Sequence, residues 1–124
     1  MPLTFKGNSR FVIIVKDYDA CRCFYEEIIN LEITQEWNRS AEDKGVVYTL
    51  GNIELEILQG QTNPNSENTY LYIQIENADA FYAKIKTSED IITPIENQTW
   101  NHRNFMIKDP VGTKLKFFEV IEKA

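Results

Sequence analysis

Short apolar stretches separated by polar turns predict a chain of strands with two helices. Strands are predicted at residues 10–16, 31–37, 45–50, 53–58, 70–76, 91–96, 104–108 and 114–119. Helices are predicted at residues 19–30 and 79–86, and a polar loop at residues 38–45. The first strand is apolar at consecutive positions, which is typical of a strand covered on both faces. The pattern indicates an α+β protein.

The first predicted helix has apolar residues at spacings of three and four, which predicts one buried stripe. The stripe consists of Ala20, Cys23, Phe24, Ile28 and Leu31. The last two strands are joined by Asp109-Pro110-Val111-Gly112, a sequence with turn chemistry. Proline presets the backbone angle of such a turn, and glycine can take a positive φ. The stretch 100–119 is therefore predicted to be a hairpin.

The order of elements repeats after a polar linker. A shift of 60 residues places Asp19-Ala20 on Asp79-Ala80, and it also places residues 50–57 on residues 110–117. One constant shift that aligns a strand–helix unit and a hairpin indicates a duplication. We predict a single domain over residues 1–124, made of two tandem β-α-β-β-β modules. Module 1 covers about residues 8–60, the linker residues 61–69, and module 2 about residues 70–121.

The composition of the chain indicates which kinds of molecule it is expected to bind and where it is expected to work. A chain of 124 residues is long enough for one domain, and its net charge of −6 argues against nucleic-acid binding. No apolar run is long enough to span a membrane, and the N-terminus has no signal-peptide pattern, so we expect a cytoplasmic protein. Cys21 and Cys23 lie two apart in a predicted helix. That spacing directs them to different sides, so we expect reduced thiols.

The duplicated modules resemble the vicinal oxygen chelate superfamily, which includes glyoxalase I, bleomycin-resistance proteins and extradiol dioxygenases. Residues 104–113 are similar to the apolar strand and Asp-Pro-x-Gly-Asn turn of that family. Trp100-x-x-Arg103-x-Phe105 is similar to the Trp-Gly-x-Arg-x-Phe run of bleomycin-resistance-like members. The resemblance implies the curled mixed sheet of the glyoxalase and bleomycin-resistance fold, with a ligand or metal inside the cup. From this run we count Arg103 among the expected ligand-binding residues.

The resemblance also implies where a metal would be bound in the family's enzymes. Their ligands lie on the first and last strand of each module, which correspond here to Arg10, Glu56, Tyr70 and Lys116. Guanidinium and protonated amine groups have no lone pair for a metal, and neutral tyrosine is a poor ligand. We therefore expect no metal, no cofactor and no catalytic residue, although a shift of one residue would offer Glu54 in place of Glu56.

The four positions have a second interpretation. Glu56 is predicted to form an ion pair with Lys116 or Arg10. Alternatively, Glu54, Glu56 and the two lysines of the last strand are simply the polar face of two alternating strands. Both interpretations remain open at the sequence level. His102, the single histidine, is expected to lie in a loop with no chemical role.

Aromatic residues complete the candidate site. Strand parity places Tyr70 and Tyr72 on one face, opposite the apolar residues that should meet a helix. Together with Trp37, Trp100 and Phe118 they are expected to line a cup that stacks on a flat or cationic ligand. The alternative for the two tryptophans is packing in the core or at a subunit interface.

These features predict a metal-free small-molecule binding protein that sequesters an aromatic or cationic ligand in a dimeric cup. The resemblance points to bleomycin-resistance-type sequestration as the nearest analogue, and to a homodimer in which modules can be exchanged. The alternatives are a glyoxalase- or dioxygenase-like metalloenzyme with an atypical metal site, a metal-free isomerase, and a structural or regulatory domain. We expect no nucleic-acid or membrane partner.

Overall fold

A computed structural model describes residues 2–86 and 91–122, which form two compact units, Met1–Pro64 and Asn65–Ala124. The first unit contains β1 (Arg10–Val15), α1 (Tyr18–Cys23) with a π-helical continuation (Phe24–Ile28), β2 (Ile33–Ser40), β3 (Asp43–Leu50) and β4 (Ile53–Gln59). The second contains β5 (Tyr70–Gln74), α2 (Ala78–Ile85), β6 (Ile91–Asn97), β7 (His102–Lys108) and β8 (Lys114–Val120). In the described part of the chain, no helix is long and apolar enough to cross a membrane.

Each unit has one four-stranded mixed sheet, and the two sheets have the same topology. The strand orders are β1-β4-β3-β2 and β5-β8-β7-β6, with the first strand of each unit parallel to its last. Arg10 pairs with Glu54, and Tyr70 pairs with Lys114, so the predicted shift of 60 residues holds for these strands. The α+β fold with a duplicated β-α-β-β-β order is confirmed.

The shift changes by one residue in the third strand of each unit. Val47 pairs with Glu56 in the first unit, whereas Met106 pairs with Lys116 in the second. The corresponding shift is therefore 59 for β3 and β7. Two residues lie between the partners Leu50 and Ile53, whereas three lie between Asp109 and Thr113, whose carbonyl accepts from the Asp109 N–H at 2.8 Å. The second turn therefore has one residue more between equivalent partners, and the single shift of 60 that the sequence suggested is wrong on that side of the hairpin.

The longer turn is organised by the side chain of Asp109, which is buried. Its Oδ1 accepts hydrogen bonds from the backbone N–H groups of Val111, at 3.0 Å, and Thr113, at 2.8 Å. Gly112 has a φ of +91°, a conformation that side chains with a Cβ rarely adopt. The turn predicted from Asp-Pro-Val-Gly is confirmed, and its extra residue is accommodated by the aspartate.

The core of each unit lies between its helix and one face of its sheet. In the first unit Ile13, Leu55 and Ile57 are buried together with Phe24 and Tyr25. Paired residues of neighbouring strands share a face, and Ile13 pairs with Ile57, so this is the helix-facing side. Burial of large apolar side chains on this side is the main stabilising contribution in each unit.

The helix-facing side of the second unit is built from aromatic rings that pack edge to face. The ring centroid of Phe81, from α2, lies 4.9 Å from that of Phe117, and the ring of Tyr82 lies 5.1 Å from that of Phe105. Phe105 and Phe117 pair across β7 and β8 and are almost fully buried. The neighbouring residues of these strands therefore face away from the helix.

Three predictions about the first unit are wrong in detail, and the first concerns the buried side of its helix. The first helix buries Tyr18, Cys21, Phe24 and Tyr25, whereas Ala20 and Cys23 of the predicted stripe are exposed. The reason is size, because turning the tyrosines inward removes much more apolar surface from water than burying an alanine. Cys21 is buried, Cys23 is exposed, and the two are not joined by a disulfide.

The predicted loop at residues 38–45 is mostly strand, since β2 and β3 extend into a hairpin around Ala41 and Glu42. Cross-strand hydrogen bonds stabilise this segment despite its polar composition. The first strand is not covered on both faces by the described residues, because Val12 and Ile14 remain 44% and 55% exposed.

Candidate ligand-binding site

In both units the sheet face opposite the helix carries the residues singled out from the sequence. We call these faces the charged face, which includes Arg10, Glu54 and Glu56 of the first sheet, and the aromatic face, which includes Tyr72 and Phe118 of the second. Alternation places them there, because Ile57 and Phe117, next to Glu56 and Phe118 in the chain, are buried on the helix side.

The charged face contains a fork of ion pairs centred on Arg10. Its Nη1 lies 2.7 Å from Glu56 Oε1, and its Nη2 lies 3.0 Å from Glu54 Oε1. Thr34 Oγ1 donates to the other oxygen of Glu54 at 3.2 Å. The hydrogen bonds to Glu56 and then Glu54 raise the pKa of Arg10 above its usual value, so the guanidinium stays charged. The predicted ion pair between Glu56 and Arg10 is confirmed.

The residues at the family's metal positions do not fit a divalent metal ion. Arg10 offers no lone pair, and it occupies the carboxylate of Glu56, the one good ligand of the set. Tyr70 and Lys116 lie on the second sheet, where the Lys116 Nζ is 5.6 Å from the centre of the Tyr70 ring. Nowhere in residues 2–86 and 91–122 are three His, Cys, Asp or Glu side chains grouped as metal ligands.

Trp37 also lies on the face of Arg10 and Glu56, and it packs flat against the strand beside it. A Cβ added to Gly45, its cross-strand partner, would lie 2.4 Å from the Trp37 ring and 2.8 Å from Leu58. The guanidinium carbon of Arg39 lies 5.9 Å from the ring centre. The sequence left open whether Trp37 packs or lines a site, and within its unit the ring fills the space that glycine leaves.

The aromatic face is dominated by a stack of three rings. The Phe118 centroid lies 4.2 Å from that of Tyr72 and 4.4 Å from that of His102, with interplanar angles of 10° and 18°. Tyr70 and Trp100 flank the stack and are each 53% exposed, and Tyr72 is 40% exposed. The structure therefore brings together four of the aromatic residues predicted for the site.

Hydrogen bonds join the polar atoms of these rings. The Trp100 indole N–H donates to Tyr72 Oη at 3.3 Å, and Tyr72 Oη lies 2.5 Å from His102 Nδ1. The expectation that His102 lies in a loop without a role is wrong about its position, because His102 begins β7. Alternation with Asn104 and Met106 was the signal that would have placed His102 on this face.

Arg103 is not brought to the aromatic face. It lies between His102 and Asn104 in β7, so its side chain extends toward the helix side. Its Nη2 is 2.9 Å from Asp79 Oδ1, and its Nη1 donates to Asn97 Oδ1 at 3.0 Å. The hydrogen bond from Arg103 lowers the pKa of Asp79. Arg103 thus connects the start of α2 to the sheet, and its inclusion in the predicted site is corrected.

Two polar residues complete the aromatic face. Asn104, the cross-strand partner of Phe118, is 1% exposed, and its Oδ1 accepts from Gln98 Nε2 at 3.1 Å. Its Nδ2 has no hydrogen-bond partner among the described residues. Lys116 pairs with Tyr72, whereas the Nζ of Lys114 donates to the backbone carbonyl of Glu67. Sequence reasoning missed Asn104, because a polar residue inside a strand is usually a solvated one.

Residues 9–122 match the family model of the glyoxalase-like domain. Among solved structures, the glyoxalase family protein from Enterococcus faecalis is 22% identical, with a TM-score of 0.74 and coverage of 93% of this chain and 98% of that one. A genomically encoded fosfomycin resistance protein from Listeria monocytogenes is 18% identical, with a TM-score of 0.76 and coverage of 94% of both chains.

An antibiotic binding protein from a Streptomyces species is 17% identical, with a TM-score of 0.76 and coverage of 97% of this chain and 98% of that one. A search among curated proteins gave no match. At these identities the structural neighbours establish the fold, and the family model establishes the family.

Proposed function

The chain belongs to the glyoxalase-like domain family, and from this premise we propose that it is a metal-free small-molecule binding protein. In this proposal it holds a small aromatic or cationic molecule by stacking and releases it unchanged. The observation that carries the proposal is the partly exposed stack of Tyr72, Phe118 and His102 on the aromatic face. Exposed rings gain roughly 25 cal/mol for each Å² of apolar surface that a bound molecule removes from water.

The ion pairs of the charged face support the metal-free part of the proposal. Arg10 supplies a permanent positive charge to Glu54 and Glu56, and these hydrogen bonds use the carboxylate oxygens that a metal would need. A guanidinium neutralises the carboxylates but cannot polarise a substrate as a bound metal ion does. We therefore favour sequestration over glyoxalase-like turnover.

Two of the structural neighbours are named for a relation to antibiotics, one as a fosfomycin resistance protein and one as an antibiotic binding protein. These names make antibiotics one class of ligand to include in a screen of this protein. Fold and function are only loosely connected, so the neighbours suggest what to test first.

Thermal-shift measurement of protein treated with a chelator and then dialysed tests the proposal. We expect aromatic molecules from a panel of antibiotics and metabolites to stabilise the protein, by about 2.7 kcal/mol at 100 times the Kd. Divalent metal ions, tested separately, should give no stabilisation. A metal retained stoichiometrically by the purified protein, or ligand stabilisation that requires an added metal, would contradict the proposal and favour the metalloenzyme alternative.

We also propose that the protein is a homodimer. Support comes from Val12 and Ile14, two apolar side chains of the edge strand β1 that are 44% and 55% exposed in the single chain. Apolar groups at a sheet edge are usually covered in the working state of a protein. Light scattering after gel filtration should give twice the mass of the chain at micromolar concentration. A single-chain mass over the same range would refute the dimer and leave the binding proposal standing.

A further inference from the structure

The hydrogen bonds of the aromatic face have a defined direction. The Trp100 indole N–H can only donate, and it donates to Tyr72 Oη at 3.3 Å. The distance of 2.5 Å between Tyr72 Oη and His102 Nδ1 is within the range of hydroxyl donors and shorter than bonds from N–H donors usually are. We assign the hydroxyl as the donor to Nδ1, which leaves the ring proton of His102 on Nε2.

Three groups around the stack can donate a hydrogen bond to a bound molecule. His102 Nε2–H is one, and within the described ranges it makes no hydrogen bond. The second is Lys116, whose Nζ contacts the Tyr70 ring at 5.6 Å and has no carboxylate within ion-pair distance among the described residues. The third is Asn104 Nδ2, which is buried and unpartnered. A buried donor without an acceptor is unfavourable, and an acceptor on a bound molecule would remove that cost.

Two of these donors, Asn104 and Lys116, can act on one substituent when the Lys116 side chain turns toward β7 from the Tyr70 ring, which its Nζ contacts at 5.6 Å. Asn104 pairs with Phe118, and Lys116 pairs with Met106, so Asn104 and Lys116 are diagonal neighbours on adjacent strands. The Cα atoms of such neighbours lie roughly 7–8 Å apart, a distance that the long lysine side chain can bridge. A carboxylate bound between Asn104 and Lys116 would lie beside the ring of Phe118.

The charge of the face agrees with the direction of its hydrogen bonds. The described part of the aromatic face has three lysines. Lys116 pairs with Tyr72 and Met106, and Lys114, two residues before it, pairs with Lys108. Among the described residues, the carboxylate on this face is that of Glu96, which lies on the edge strand β6 and pairs with Asn104. Its Oε1 accepts a hydrogen bond from Gln98 at 3.4 Å. Although the whole chain has a net charge of −6, this face carries more positive than negative groups.

We infer that the aromatic face selects planar aromatic molecules that carry a negatively charged oxygen group, such as aromatic carboxylates. The rings of Tyr72, Phe118 and His102 stack on the planar part, and Lys116 and Asn104 bind the charged oxygens. This inference rests on the proposed function and narrows its ligand from aromatic or cationic to aromatic and anionic. Cationic aromatic molecules are disfavoured, because Lys116 repels them.

Three probes of the same shape test the inference: 2-naphthoate, 2-naphthamide and the cation 2-naphthylmethylammonium. Each is titrated into the full chain at low salt, and the Kd is taken from amide shifts in NMR spectra, which detect millimolar binding. We expect 2-naphthoate to bind about tenfold more tightly than the amide, and the cation to bind most weakly. Equal affinities for the three probes, or tightest binding of the cation, would overturn the inference and leave the proposed function intact. Absence of binding by all three up to 10 mM would count against the proposed function itself.

Substitution of two lysines tests which positive charge causes the preference for the carboxylate. Lys116→Met should reduce the affinity for 2-naphthoate to that for 2-naphthamide, while the affinity for the neutral probe stays unchanged. Lys84→Met is the control, because Lys84 is an exposed residue of α2, on the helix side of the sheet, and should leave the preference for the carboxylate intact. An equal loss of affinity for both probes in Lys116→Met would instead mean that the substitution disturbs the stack, and it would refute the assigned role of the charge.

Discussion

Phe117→Ala is expected to lower the free energy of unfolding by about 3–5 kcal/mol, because it empties the centre of the second core. Phe117 is 2% exposed and packs edge-on against Phe81 at 4.9 Å and beside Phe105 at 5.6 Å. Urea unfolding followed by circular dichroism measures the change. Since total stabilities are typically about 5–15 kcal/mol, the variant is expected to be marginal.

If the alanine variant does not fold, Phe117→Leu still allows the contribution of this side chain to stability to be measured. Leucine retains most of the apolar volume, so the expected loss is smaller and the midpoint of unfolding should lie between those of the parent and the alanine variant. A Phe117→Ala protein within 1 kcal/mol of the parent would show that this ring is not part of a packed core, and the assignment of the two sheet faces would then be wrong.

Phe118→Ala, one residue further along, is expected to have the opposite profile. The protein should remain folded, because Phe118 lies on the partly exposed aromatic face, but the Kd for 2-naphthoate should rise at least tenfold. The reason is that Phe118 is the ring that contacts both others, at 4.2 Å and 4.4 Å, so its removal takes away the central part of the stacking surface. NMR titration gives the Kd, and urea unfolding shows that the fold is retained.

Phe5→Ala is the matched control for this variant. Phe5 is 85% exposed and precedes the first strand, so its removal should change neither the Kd nor the stability by a measurable amount. If Phe118→Ala binds 2-naphthoate as tightly as the Phe5→Ala control, the ring stack is not the binding surface. Loss of binding in both variants would also count against the ring stack as the binding surface, because removal of a distant phenylalanine would then weaken binding as much as removal of Phe118.

The periodic parts of this fold were predictable from sequence. Strand alternation has a period of two, so it placed Tyr70, Tyr72 and Phe118 on one face, and the structure has them there. The turn at residues 109–112 was predictable from Pro110 and Gly112, and it supported the duplication. The ion pair of Glu56 with Arg10 was one of the two pairings expected from the resemblance, and the structure forms it although the strand partner of Arg10 is Glu54.

The errors came where local sequence is weakly informative. The side of the first helix was misjudged because a π-helical turn and two large tyrosines rotate the buried stripe away from Ala20 and Cys23. His102 was assigned to a loop because the start of a strand depends on its partner, here Val120, more than on its own composition. Arg103 was carried over from a similar motif, although its parity with Phe105 places it on the helix side.

The central claim is that the aromatic face binds an aromatic molecule without a metal. Its most direct test is to map amide shifts in ¹H–¹⁵N spectra of chelator-treated protein during titration with 2-naphthoate. The account predicts saturable shifts concentrated in β5, β8 and the first half of β7, and at the indole N–H of Trp100. Shifts confined to residues outside the second sheet, or shifts that appear only after a divalent metal is added, would contradict it.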